Sequence, residues 1–164
     1  MSVAKHLIEH RALGLEVIAT EIVAVSAPAF SIPNGLGTTT GLDLVNVILD
    51  TDGTLADLVN NYVNVPASAT HCRCQANGFF AANATGSRKI AFEQHIAGAV
   101  WVATAQDEKP NAGAAISTYF SFTYPMTPVN AASAPHVRLA AAQDSGAALN
   151  FTLSSLMFEF LKVA

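Results

Sequence analysis

One segment constrains the fold more than any other: Val65-Pro66-Ala67-Ser68-Ala69-Thr70-His71-Cys72-Arg73-Cys74-Gln75-Ala76-Asn77-Gly78-Phe79-Phe80. From His71 onward it alternates. Cys72, Cys74 and Ala76 fall on one side; His71, Arg73 and Gln75 fall on the other. A period of two marks a strand with one face buried. Pro66 stands where a strand can begin, because a missing backbone donor is tolerated there. Cys72 and Cys74 lie two apart on one face, with Cα atoms about 6.6 Å apart, at the far edge of disulfide geometry. Both are expected to be free, small and buried. A metal role for His71-Cys72-Arg73-Cys74 is disfavoured, because the candidate ligands split between two faces and no second cysteine pair follows.

Charge is scarce. Charged residues make up 12% of the 164-residue chain and hydrophobic residues 51%, against about 25% charged in a typical soluble domain. Either neutral polar side chains cover the surface or part of it is hidden in subunit contacts, and the second reading is preferred. With a net charge of −4 and no basic run, phosphate-directed nucleic-acid binding is not expected. No apolar stretch reaches the ~20 residues of a membrane span; Val17 to Val25 is short and holds Glu21. Met1 to Arg11 lacks the apolar core and cleavage site of a signal peptide, which points to synthesis in a cytoplasm.

Along the chain, Val3 to Glu16 is the one stretch with helical spacing, and its apolar stripe is thin. Residues 1–20 are therefore read as an N-terminal arm, with a short helix as an option, and residues 21–164 as one domain. From Leu15 the chain runs as short segments of alternating or continuous apolar character. Pro33-Asn34-Gly35-Leu36-Gly37, Asp52-Gly53, Gly98 and Gln143-Asp144-Ser145-Gly146 are turn signals between them. Leu42 to Leu49 reads as buried on both faces. Asn83 to Ser87 and Asp107 to Gly113 read as loops. Nine or ten strands at even spacing predict an all-β, antiparallel sandwich or barrel. No helical period or internal repeat recurs, which sets aside βαβ folds, propellers and solenoids.

Four blocks then give a likeness to a family. Pro28-Ala29-Phe30-Ser31, Tyr62 to Cys74 with Val65-Pro66-Ala67-Ser68-Ala69, Val137-Arg138-Leu139 followed by Gln143-Asp144-Ser145-Gly146, and Ser154-Ser155-Leu156-Met157-Phe158-Glu159-Phe160-Leu161 occur in family order. Together they resemble the tumour necrosis factor-like superfamily that includes the globular heads of the complement first component. The chain departs from the pattern at Ala69, at His71-Cys72 and at Ala134-Pro135-His136. The resemblance implies a jelly roll of about ten strands that assembles as a homotrimer and binds or scaffolds rather than catalyses.

Residue patterns agree with the absence of catalysis. The histidines are His6, His10, His71, His95 and His136, without the His-x-His pair of metal-dependent cupins. There is no Gly-x-Ser-x-Gly elbow and no phosphate-cradling loop, and no cofactor is expected. Asp50, Asp52 and Asp57 form a fragment of a calcium loop without its later ligands; a capped β-turn is the preferred reading. Most phenylalanines are assigned to the core. Tyr119, Tyr124, Trp101 and His71 are candidates for the trimer interface, and Leu7, Ile8 and Leu13 for anchors on the arm. Starting at Met1 and ending on a strand, the chain shows no stalk. The expectation is a virion protein, made in the host cytoplasm: a bacteriophage capsid decoration or cement protein whose partners are its own copies and the major capsid or another virion protein. The alternative is a receptor-binding tip or adhesin of a phage tail or cell surface.

Overall fold

The computed structural model describes residues 14–25, 30–51, 53, 55–96, 100–112, 117–125 and 136–163. Among them there are twelve strands and no helix: β1 (Leu15–Val25), β2 (Phe30–Ile32), β3 (Gly35–Gly41), β4 (Leu44–Asp50), β5 (Ala56–Asp57), β6 (Tyr62–Asn64), β7 (His71–Phe80), β8 (Asn83–Ile96), β9 (Val100–Ala112), β10 (Ser117–Pro125), β11 (His136–Gln143) and β12 (Leu149–Val163). They form two antiparallel sheets. The six-stranded sheet runs β10-β7-β12-β1-β4, with β2 also on β12, and the five-stranded sheet runs β5-β6-β11-β8-β9. This is a β-sandwich of jelly-roll type. The arm and its candidates Leu7, Ile8 and Leu13 lie outside the described residues. The sheet already holds Leu15, paired with Val163, so residues 15–20 belong to β1 rather than to an arm ending at residue 20.

The alternation of β7 is realised. Cys72 and Cys74 are free and buried, and Ala76 joins them in the core, with the phenylalanines Phe158 and Phe160 of β12 and Phe120 of β10. Pro66 heads a turn, accepting a hydrogen bond from Ala69 N–H, and the strand itself begins at His71. From the other sheet come Ile90, Phe92, Val137 and Leu139. Phe92 meets Phe158 across the sandwich at 6.5 Å between ring centroids. Each such side chain contributes about 1.5–3 kcal/mol on leaving water. Gly78 lets β7 and β12 approach at the irregularity between Leu153 and Ser155; a Cβ there would stand 2.6 Å from Phe151 and 2.7 Å from the Thr152 carbonyl.

Three expectations are corrected. Leu44–Asp50 is not buried on both sides: β4 is a sheet edge whose pairing with β1 shifts register twice, leaving Ile48 and Leu49 exposed. Asn83 to Ser87 and Asp107 to Ala112 are strand rather than loop, because β8 and β9 stay paired out to Asn83–Ala112. Pro110 is tolerated because β9 is an edge. Arg88, buried beside this segment, donates to the carbonyls of Asn83, Thr85 and Ser87. Burial lowers its pKa, with Asp144 opposing.

One strand lies outside the ladders. β3 is tied to β11 by a parallel bridge from Asn34 to Gln143 and by Leu42 N–H donating to the Leu139 carbonyl. Between these ties it crosses the outward side of the five-stranded sheet. Leu36 C=O accepts from Lys89 Nζ at 2.6 Å, and Gly41 closes to within van der Waals reach of the Arg138 guanidinium. The buried Gln143 amide fixes the adjoining turn: it donates to the carbonyls of Ile32 and Ala147 and accepts from Ser145 N–H.

Candidate functional site

The antiparallel register of the five-stranded sheet lines up residues far apart in sequence. Asn64, His136, His95 and Trp101 are successive partners across β6, β11, β8 and β9. One step along, Arg138 pairs with Glu93 and Glu93 with Ala103. These positions face away from the core, since their neighbours Val137, Leu139 and Phe92 are the buried ones. Tyr62, two residues before Asn64, joins the same face.

The rings meet closely. Tyr62 stacks on His136 with centroids 3.9 Å apart. His95 lies 5.5 Å from His136 and 5.2 Å from Trp101, and Tyr62 is 6.3 Å from Trp101. The Arg138 guanidinium sits over the Trp101 ring at 4.1 Å, a cation–π contact. Its Nε donates to Glu93 Oε2 at 2.8 Å, and Thr39 of β3 donates its hydroxyl to the other Glu93 oxygen. Glu93 is only 2% exposed, so both oxygens of a buried carboxylate are engaged, as a buried charge requires.

Electrostatics follow from this packing. Asp57 accepts from Asn60 Nδ2 at 2.9 Å and from the N–H groups of Val59 and Asn60 at 3.0 Å. Those bonds, the Asn60 side chain first, hold its carboxyl below the usual range. Burial raises the Tyr62 phenol, helped by its hydrogen bond to Asp57. Burial lowers His136, with the nearby His95 adding to this and Asp57 opposing it. The Nδ1 atoms of His95 and His136 are inaccessible and have no hydrogen-bond partner among the described residues. Leu58 and Val59, on the β5–β6 turn that leads into Tyr62, are exposed, Val59 being 89% exposed. No three His, Cys, Asp or Glu side chains among the described residues converge as metal ligands.

The expected site residues are dispersed. Trp101 belongs to the cluster just described. His71 is on the outward face of the other sheet, its Nδ1 3.0 Å from the Thr70 hydroxyl. Tyr119 is the register partner of Asn77 and Tyr124 that of Cys72, positions of opposite parity. Asp50 caps a turn, accepting from Gly53 N–H at 2.6 Å and from Leu55 N–H at 3.0 Å, and Asp57 caps the next; Asp52 lies outside the described residues. The buried thiols are pushed well above the ordinary cysteine range by loss of water. Sequence reasoning did not single out Tyr62, Glu93, His95, His136 or Arg138. One available signal was the Gly98 turn: counting outward along a hairpin centred there pairs His95 with Trp101.

Solved structures share this architecture. Murine APRIL, crystallised at pH 8.0, superposes with a TM-score of 0.57 over 88% of this chain and 98% of its own, at 11% identity. Eiger TNF from S. frugiperda gives 0.59 over 91% and 94%, at 6% identity. No protein family and no curated protein matches the sequence itself. At these identities the likeness is one of fold, and that fold is the tumour necrosis factor-like jelly roll.

Proposed function

We propose that this tumour necrosis factor-like jelly roll is a non-enzymatic structural protein that assembles as a homotrimer and decorates a virion, as a bacteriophage capsid cement protein. The observation that supports the reading is the outward face of the six-stranded sheet. Between the His71–Leu161 row and the Phe79–Thr152 row, β7, β10 and β12 carry one Arg and one Glu, Arg73 and Glu159, and no other Lys, Arg, Asp or Glu. Those two are joined within the sheet at 3.5 Å. Gln75, Asn77, Ser121, Thr123, Ser155 and Met157 supply the rest. Such a face can meet copies of itself without stranding a charge. The family resemblance implies assembly around this kind of face, and a chain with only 12% charged residues is suited to hiding surface in subunit contacts.

Light scattering tests the assembly: the expected mass is three times 17.1 kDa. Met157→Arg puts a charge in the middle row, opposite Gln75, and should release folded monomers. A wild-type chain that stays monomeric at micromolar concentration contradicts the reading. For decoration, deletion of residues 2–13 should leave the trimer mass unchanged and reduce co-sedimentation with particles. The alternative, a receptor-binding tip, draws on the Tyr62–Trp101 patch and the exposed Val59 on the turn before Tyr62. It gains if the truncated trimer still decorates particles at wild-type occupancy.

A further inference from the structure

The ring cluster on the five-stranded sheet holds two imidazoles side by side, 5.5 Å apart. A neutral imidazole has one donor and one acceptor nitrogen; a protonated one has two donors. The Nδ1 atoms of both His95 and His136 are buried and lack a partner. A proton placed on His136 therefore leaves an N–H of a cation without an acceptor, a costly state away from water.

Among the described residues, the surrounding groups do not supply one. On β8, the Glu93 carboxylate is held by Arg138 and Thr39. On β11, Arg138 itself is a second cation two residues along the same face. On β6, Tyr62 covers one side of the His136 ring. On β9, Trp101 lies against His95 and beneath Arg138. On β5, Asp57 is the carboxylate placed to favour a charged His136, and its oxygens are already engaged by Val59 and Asn60.

We propose that Tyr62, His95, Trp101 and His136 form an acid-sensitive latch: the β6–β11–β8–β9 end of the sheet stays closed while His136 is neutral and opens when His136 gains a proton. Opening brings Nδ1 to water and separates the Tyr62 and His95 rings from His136. The direction in pH follows. His136 in the folded protein is lowered below the ordinary imidazole value of 6.5, so as pH falls through that value the unfolded chain binds the proton first. Stability is full above 6.5, declines across the window below it, and levels off once the folded state is also protonated. The inference does not rest on the trimer or on a virion partner.

Trp101 is the chain's single tryptophan and reports on the latch directly. Its emission is followed from about pH 8 to about pH 4.5, the range in which histidines titrate, alongside NMR titration of the imidazole C–H resonances of the wild-type protein. The expected result is an emission change tracking the His136 resonance, with a midpoint below 6.5. His136→Gln should abolish that change with the far-ultraviolet circular dichroism intact. His95→Gln should move the His136 midpoint upward, because the neighbour that lowers it is removed. A His136 midpoint at or above 6.5, an emission that ignores the His136 titration, or a transition that survives in a folded H136Q protein each overturns the latch. The wild-type NMR titration decides the matter even if the variants fail to fold.

Discussion

Among the described residues, each outward face of the sandwich carries one arginine–glutamate pair, and the two are held differently. Arg73 and Glu159 bridge β7 and β12 at 3.5 Å on a face of neutral polar side chains. Arg138 and Glu93 bridge β11 and β8 at 2.8 Å, with the guanidinium over Trp101, a hydroxyl from β3 on the carboxylate and Gly41 closing the space above. The first pair leaves its face flat. The second is the floor of a ring cluster whose shape depends on it. Both carboxylates are buried, Glu159 being 5% and Glu93 2% exposed; the pairs differ in length and in what lies beside them, and an ion pair's worth depends on desolvation and geometry.

The contrast can be broken by removing one carboxylate from each face. Glu93→Ala strips a buried partner from Arg138 and should cost about 3–5 kcal/mol in urea unfolding. Glu159→Ala, at the longer pair, should cost about 1–3 kcal/mol. Equal losses would mean that the two pairs are energetically alike and that the cover from β3 and Trp101 adds nothing.

Glycines give a smaller, sharper comparison. An alanine Cβ at Gly78 meets the Thr152 carbonyl, which is backbone, and the buried Phe151 ring. One at Gly41 meets only the Arg138 side chain, 2.9 Å away at Nη1. Gly78→Ala should therefore destabilise by about 1–3 kcal/mol and Gly41→Ala by less, as read from thermal melts. The reverse order would show Arg138 to be fixed as rigidly as the backbone.

The smallest effect concerns the core shared by both faces. Burial raises both thiols, so alkylation near pH 8 should leave Cys72 and Cys74 unmodified in the native protein and modify both in urea. Native labelling faster than global unfolding would show that the six-stranded sheet opens locally.

Much of this architecture could be read from local pattern. The alternation of Cys72, Cys74 and Ala76 against His71, Arg73 and Gln75 placed the core side of the six-stranded sheet, because a half-buried strand writes its period into consecutive residues. Polar strand ends such as Asn83 to Ser87 carry no such period and passed for loops. Ile48 and Leu49 looked buried because apolar character alone does not reveal that β4 has a neighbour on one side only. The ring cluster was hidden for a further reason: Tyr62, His95 and His136 come from three strands, and their meeting is a property of register rather than of any one segment.

The position of β12 has a consequence for how the chain comes off the ribosome. Strands β1, β2 and β7 all pair with it, so a nascent chain that has reached only β11 lacks the strand on which the six-stranded sheet converges. Until residues 149–163 emerge, Phe120, Cys72 and Cys74 have no Phe158 and Phe160 to cover them. Productive folding is then expected to be late and cooperative rather than progressive during synthesis, the pattern of a topology dominated by long-range pairing.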